Sequence, residues 1–213
     1  MFFAQNQPNL GMGYLYNWCA VSCSAFAPAG WVVPVCSQYD TLRAYLGGFT
    51  VAGGHLKETG YTHWNSPNTA ADNSSGFNGF GAGSRECDGA FTKIKLWTLI
   101  WGKDVAHLSS DNCFRSLAFC NNCAWAYAHW NYDTSGQSVR LLYTGGSTPS
   151  TVSDYDGNVY NAVVIGTQRW TDRNWKSTHY NNGNTISKVT DNTTWKNCTQ
   201  GALSAYNNDE RNI

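Results

Sequence analysis

Charge is what this 213-residue chain has least of: 14 basic and 14 acidic residues make up 13% of it, against roughly 25% in an ordinary domain. With a formal net charge of zero it carries no basic footprint for neutralising phosphates, which excludes an electrostatic nucleic-acid binder. No targeting signal is expected from the opening residues either. Met1 to Asn9 (MFFAQNQPN) has neither the basic start nor the apolar stretch of a secretory signal. Nor is any apolar run long enough for a bilayer. The most apolar region, Trp18 to Val35, is broken by Pro28, Gly30 and Pro34 and carries two Cys and two Ser, so no membrane insertion is expected.

Aromatic residues are what it has instead, at 15%, with ten Trp, twelve Tyr and nine Phe beside 21 Gly. Such a chain can bury a core, so global disorder is excluded. Its surface must be solubilised by amides and hydroxyls, a composition suited to a contact surface more than to acid–base catalysis.

The eight cysteines (19, 23, 36, 87, 113, 120, 123 and 198) are even in number, but the chain is long enough to fold without disulfides. Cys120-Asn-Asn-Cys123 has zinc-ligand spacing, with Cys113 and His129 nearby. A second CxxC or an HxxxH is missing, so small buried or loop cysteines are the favoured reading, and no cofactor or metal is assigned. The five histidines are not framed by any nucleophile-elbow or Cys/His motif, and the chain is read as a non-enzyme.

One helix is predicted, over 37–46. Ser37 is its N-cap with Asp40 three residues on, Tyr39, Leu42 and Leu46 recur at helical spacing, and Gly47-Gly48 stops the run. Strands are predicted at Trp31–Pro34, Phe114–Phe119, Ser138–Tyr143, Val159–Ile165 and Arg169–Trp175. The expected class is α+β, loop-rich, with short antiparallel strands and one or two helices. Thr144 to Ser153 (TGGSTPSTVS) reads as a linker between a first block, 1–143, and a last block, 154–213, which has too little apolar material for a core of its own.

Several motifs follow one another: Tyr14-Leu-Tyr-Asn-Trp18, Gly30-Trp-Val-Val-Pro34, Tyr45-Leu-Gly-Gly48, Gly53-Gly-His-Leu-Lys-Glu-Thr-Gly60, His63-Trp-Asn-Ser-Pro-Asn-Thr69, Asn73-Ser-Ser-Gly-Phe77 and Ser138-Val-Arg140. This succession resembles the Fibrobacter-type major paralogous domain, a family of C-type-lectin-like modules. The last block resembles the opening of the same family in Gly157-Asn-Val-Tyr-Asn-Ala-Val-Val-Ile-Gly-Thr-Gln-Arg-Trp170, Tyr180-Asn-Asn-Gly183 and Val189-Thr-Asp-Asn-Thr193. The blocks thus stand in circularly permuted order. The last block either completes the same domain, the favoured reading, or completes that of a neighbouring chain in a strand-exchanged oligomer. The resemblance implies a C-type-lectin-like fold, but the Glu-Pro-Asn and Trp-Asn-Asp triplets of a lectin calcium site are absent. The formylglycine-generating enzymes share that fold, yet no matching motif surrounds Cys120 or Cys123.

The likeness to the family collapses between Arg85 and Ser138, although Arg115, Leu117 and Gly136 stand at the expected places; the expected variable region is about 86–140. After Trp97 the chain reads Thr98-Leu-Ile-Trp101, and Asn112 to Gly136 reads NCFRSLAFCNNCAWAYAHWNYDTSG. A fixed scaffold with scattered changes resembles the variable proteins of diversity-generating retroelements, in which adenines of a template are miscopied. Phe, Ser, Ala, Cys, Tyr, His and Asp are all reachable from an Asn codon that way, whereas Trp125 and Trp130 are not. If Leu117 points to the core, the two-residue period places Cys113, Arg115 and Phe119 with it, and Phe114, Ser116, Ala118 and Cys120 outward. The expected ligand-binding set is therefore Phe114, Ser116, Ala118, Cys120, Asn121, Asn122, Tyr127, His129, Asn131 and Tyr132. Glu86, Cys87, Leu99, Trp101 and Asp104 are expected as neighbours. The expected function is a diversified ligand- or receptor-binding protein, a phage tail-fibre adhesin or a bacterial surface module. Its partner would be a host cell-surface protein or glycan, with a homo-oligomer (a trimer in a tail fibre) carrying it. The alternatives are a non-diversified surface module and an oxidase of the formylglycine-generating type.

Overall fold

The computed structural model describes residues 10–108 and 111–213, with the backbone alone at 105–108, 111–115 and 130. Along the chain come β1 (Leu15–Tyr16), α1 (Trp18–Ser22), β2 (Trp31–Val32), α2 (Cys36–Tyr45) and α3 (Ala52–Leu56). An irregular stretch leads to β3 (Ala82–Arg85), β4 (Phe91–Ile94), β5 (Trp97–Leu108), β6 (Asp111–Cys120) and β7 (Ala126–Tyr132). Then follow β8 (Leu142–Tyr143), β9 (Thr151–Ser153), β10 (Val159–Ile165), β11 (Gln168–Thr171), β12 (Ser187–Lys188), α4 (Asn192–Lys196) and β13 (Ala202–Ser204). The class is α+β, mostly sheet with four short helices among the described residues.

Three sheets form, ordered β1-β13-β12, β2-β8-β11-β10-β9 and β4-β3-β5-β6-β7. Two of them are shared between the first and last blocks: β13 pairs with β1, and β11 pairs with β8 at Trp170–Leu142. The largest apolar cluster likewise draws Tyr16, Trp18 and Trp101 from the first block and Tyr160, Trp175 and Leu203 from the last. A second cluster joins Tyr39, Trp64, Leu117 and Phe119 to Ile165 and Trp170. Trp31 and Trp64, in the framework motifs, are both buried.

Two buried arginines, Arg85 and Arg140, tie the blocks further. Arg85 donates to the carbonyls of Val189 and Thr190 and to Asn192 Oδ1 (3.0 Å), and its guanidinium stacks over Trp195. A buried charge needs such a full set of acceptors, because desolvation is otherwise costly.

Three local expectations need correction. Helix α2 begins at Cys36, not Ser37. Its N-cap is Val35, whose N–H is taken up by the Gln38 side chain at 2.9 Å, while Asp40 pairs with Arg43. Helices α1, α3 and α4 have five residues each, too few for a hydrophobic period to register. The predicted linker is ordered at its far end: Thr151–Ser153 is strand β9, paired with β10, and Val152 is buried. The Ser150 and Pro149 carbonyls also accept from Ala162 N (2.8 Å) and Arg169 Nη1 (3.0 Å).

An aromatic groove on an anchored loop

Strands β5, β6 and β7 form a continuous antiparallel ribbon, with Ser116 opposite both Trp101 and His129, and Ala118 opposite Leu99 and Tyr127. In its inner half both faces are covered. Leu117 and Phe119 lie in the second cluster, while on the other face Trp101 packs edge-on against Trp18 (5.6 Å) and donates from Nε1 to the Tyr16 carbonyl (2.6 Å). Ser116 and Ala118 are therefore buried, contrary to the expectation that they face outward, and so are Leu99 and Trp101, expected beside them; Cys120 is buried as well, at the border of the aromatic groove. Two-residue alternation separates core from solvent only when one face is wet. The side chains of Phe114, Cys113, Arg115 and Trp130 lie outside the described residues.

The β6–β7 loop is built as a rigid platform. Cys120 and Cys123 form a disulfide. Asn121, expected at the surface, is buried, with Nδ2 donating to the carbonyls of Asn65 (3.3 Å) and Ser66 (3.2 Å). Its N–H reaches the Leu96 carbonyl at 2.9 Å, and its own carbonyl accepts from Thr69 N at 2.6 Å. Beneath it Lys57, buried in α3's C-cap, donates from Nζ to the carbonyls of Thr69 (2.7 Å), Cys120 (3.0 Å) and Cys123 (2.8 Å). Burial pushes the Lys57 ammonium down to about 8. Gly53 of α3 lies against the Trp125 and Ala124 carbonyls with no room for a Cβ.

On this platform lies an open groove of about 430 Å³ lined by Phe49, Trp97, Cys120, Asn122, Cys123, Trp125 and Tyr127. Trp125 is 51% exposed and Phe49 53%, large fractions for such residues. Their rings are tilted at 56° with centroids 6.0 Å apart, and Tyr127 meets Trp97 edge-on at 5.9 Å. Burial raises the Tyr127 phenol above its ordinary value, so it is a neutral hydroxyl at physiological pH.

Of the expected site residues, Cys120, Asn122 and Tyr127 line this groove, and His129, Asn131 and the exposed Tyr132 continue along β7 from it. Asn131 is turned back to Ser116, Nδ2 to Oγ at 2.8 Å. Glu86 and Cys87 lie at the β3–β4 turn, on the side of the sheet away from β7, and so are not neighbours of the groove. Burial by itself would raise the Glu86 carboxyl, but hydrogen bonds from Lys93 (2.8 Å), Thr92 (2.6 Å) and Ser84 (2.9 Å) hold it below the usual carboxylate range. Asp104 accepts from the Cys36 N–H at the start of α2. Sequence reasoning missed Phe49 and Trp97, set Trp125 aside for its codon, and gave no role to Lys57. A buried lysine carries no sequence mark that tells it from a surface one.

The chain matches the Fibrobacter succinogenes major domain family over residues 3–142. It belongs to that family. Residues 143–213, which complete two of its sheets, lie beyond the match. No curated protein and no solved structure matches the chain. Within the family's region, His63 faces acceptors at both ring nitrogens, the Glu58 carboxylate (2.6 Å) and the Leu10 carbonyl (2.5 Å). His55 has Asp72 (2.8 Å) and Ser74 (2.9 Å) on the same nitrogen, Nδ1. A hydrolytic triad needs the hydroxyl and the carboxylate on opposite ring nitrogens, so this cluster does not have that form. Among the described residues no group of three or more His, Cys, Asp or Glu is placed to hold a metal ion, and no helix is long and apolar enough to cross a membrane.

Proposed function

We propose that the protein is a non-catalytic, diversified binding module with a C-type-lectin-like fold, presented on a phage tail fibre or a bacterial surface and directed at a host surface molecule. The observation that carries this reading is the aromatic groove. Trp125, on a loop held by a disulfide, a buried lysine and the buried Asn121, is exposed beside Phe49 of the α2–α3 connection. Aromatic side chains on a pre-ordered backbone bind at small entropic cost, as antibody loops do. The departure from the family motifs read in the sequence between Arg85 and Ser138 supports diversification of the same ribbon, with a homo-oligomer, such as a fibre trimer, multiplying weak contacts.

Sequencing of the genomic neighbourhood tests it. The expected result is a near-copy of the segment encoding roughly 86–140, differing at adenines, beside a reverse-transcriptase gene. Its differences should fall on exposed positions such as Asn122 and Tyr132 and on the half-buried His129, and spare Leu99, Trp101 and Ala118. No near-copy, or one differing mainly at the buried positions, would overturn diversification and leave a fixed surface module.

A further inference from the structure

We infer that the occupant of this surface is an extended polypeptide that adds as a further strand to the outer edge of β7. This rests on the binding-module reading and names the chemistry of its ligand. Among the described residues strand β7 is the last of its sheet and pairs with β6 alone. At Ala126 the outward side is already used: its N–H donates to the Phe49 carbonyl (2.8 Å) and its carbonyl accepts from Arg43 Nη1 (3.2 Å). Backbone groups alternate in direction along a strand, so the N–H and C=O of Ala128 point out from the same edge. Ala128 is exposed, and among the described residues nothing pairs with that N–H or C=O.

Arg43 adds a complementary charge. Its Nη2 pairs with Asp40 and its Nη1 with Ala126, but its Nε–H is buried with no acceptor. Arg43, Asp40 and Ala128 line one recess of about 190 Å³, so the Arg43–Asp40 pair and the open edge border the same space. The recess meets the aromatic groove at Tyr127. An occupant must bring a paired N–H and C=O to Ala128 and an apolar group to Phe49 and Trp125, with polar groups beside the Arg43–Asp40 pair. A main chain in extended form supplies all three, with carbonyl, amide and side chain at the strand repeat. A glycan offers hydroxyls and an apolar ring face but no in-line amide pair.

The test pans a yeast-displayed random dodecapeptide library against the full chain. Enriched peptides are then titrated against the wild type, Ala128→Pro, Trp125→Ala and a distant control, Val164→Thr on β10. Proline at 128 removes an outward N–H and no β6–β7 bond, as edge strands tolerate. Enriched peptides should alternate apolar and polar residues and lose about tenfold or more in affinity for Ala128→Pro, with Val164→Thr unchanged. In the unmodified protein, hydrogen exchange at the Ala128 amide should slow on peptide binding, a readout that does not depend on the variant folding. Peptides that bind Ala128→Pro as well as the wild type, an Ala128 amide that exchanges unchanged, or no enrichment at all would overturn the inference. Self-association abolished by Ala128→Pro would overturn it in favour of a second copy. Binding to an immobilised pyranoside array that Trp125→Ala removes, without peptide binding, would overturn it while the binding-module reading stands.

Discussion

Arg140 and Asn174 meet in the interior, Nε donating to Oδ1 at 2.7 Å, and so join segments that the sequence sets on either side of a linker. The arginine also donates to the carbonyls of Phe77 (2.6 Å), Thr171 (2.9 Å) and Asn78 (2.8 Å). Asn174 in turn donates to the Met12 carbonyl at 2.7 Å. One guanidinium thereby fixes both blocks and the loop before β3.

Arg140→Ala leaves four acceptors unmet, three of them buried, and should cost about 3–5 kcal/mol of unfolding free energy. Arg140→Lys should recover only part, since an ammonium cannot reproduce the planar fork. Denaturant melts decide it; a loss under about 1 kcal/mol for the alanine variant would mean that the last block is held by apolar packing alone.

The Lys57 amine gives a pH dependence of defined sign. Its pKa of about 8 in the fold lies below the roughly 10.4 of an unfolded chain. Between about pH 8 and 10 the unfolded state therefore binds more protons, and this group's contribution makes stability rise with pH. It changes little below pH 8. Lys57→Met should remove that slope, lower stability at pH 7 by about 1–3 kcal/mol through unmet carbonyls, and speed amide exchange at 121–126. Urea melts of both proteins at stepped pH values provide the comparison.

Gly53→Ala should free the binding loop from α3, because a Cβ there meets the Trp125 carbonyl. The expected cost is about 1–3 kcal/mol, with near-ultraviolet dichroism showing disturbed Trp environments while far-ultraviolet dichroism is retained. If the melt and both spectra are unchanged, the loop is not clamped on α3.

Fold and binding should separate along the burial boundary. Trp101→Ala should cost about 3–5 kcal/mol, because the ring is fully buried in the largest apolar cluster. Replacing the exposed Asn122 and Tyr132 together by Ser should move stability by about 0.5 kcal/mol or less per site. Thermal melts of the two variants in parallel check the division, and the reverse ranking would place the core in the outer ribbon.

Local signals were legible in the sequence because they depend on neighbours within a few residues. The run Val159–Ile165 forms a strand, helix α2 ends before Gly47-Gly48, and both glycines adopt positive φ (89° and 96°) that other residues avoid. The framework motifs likewise named the family, and placed Trp31 and Trp64 in the interior. What sequence could not decide was which faces of the β5–β6–β7 ribbon are wet. That depends on Trp18 and Tyr39 closing over it from distant parts of the chain, and their approach buries Ser116 and Ala118 as fully as Leu117. The groove has the same origin. Phe49, Trp97 and Trp125 are far apart in sequence, and only the packing of the β6–β7 loop on Gly53 and Lys57 brings their rings to one surface.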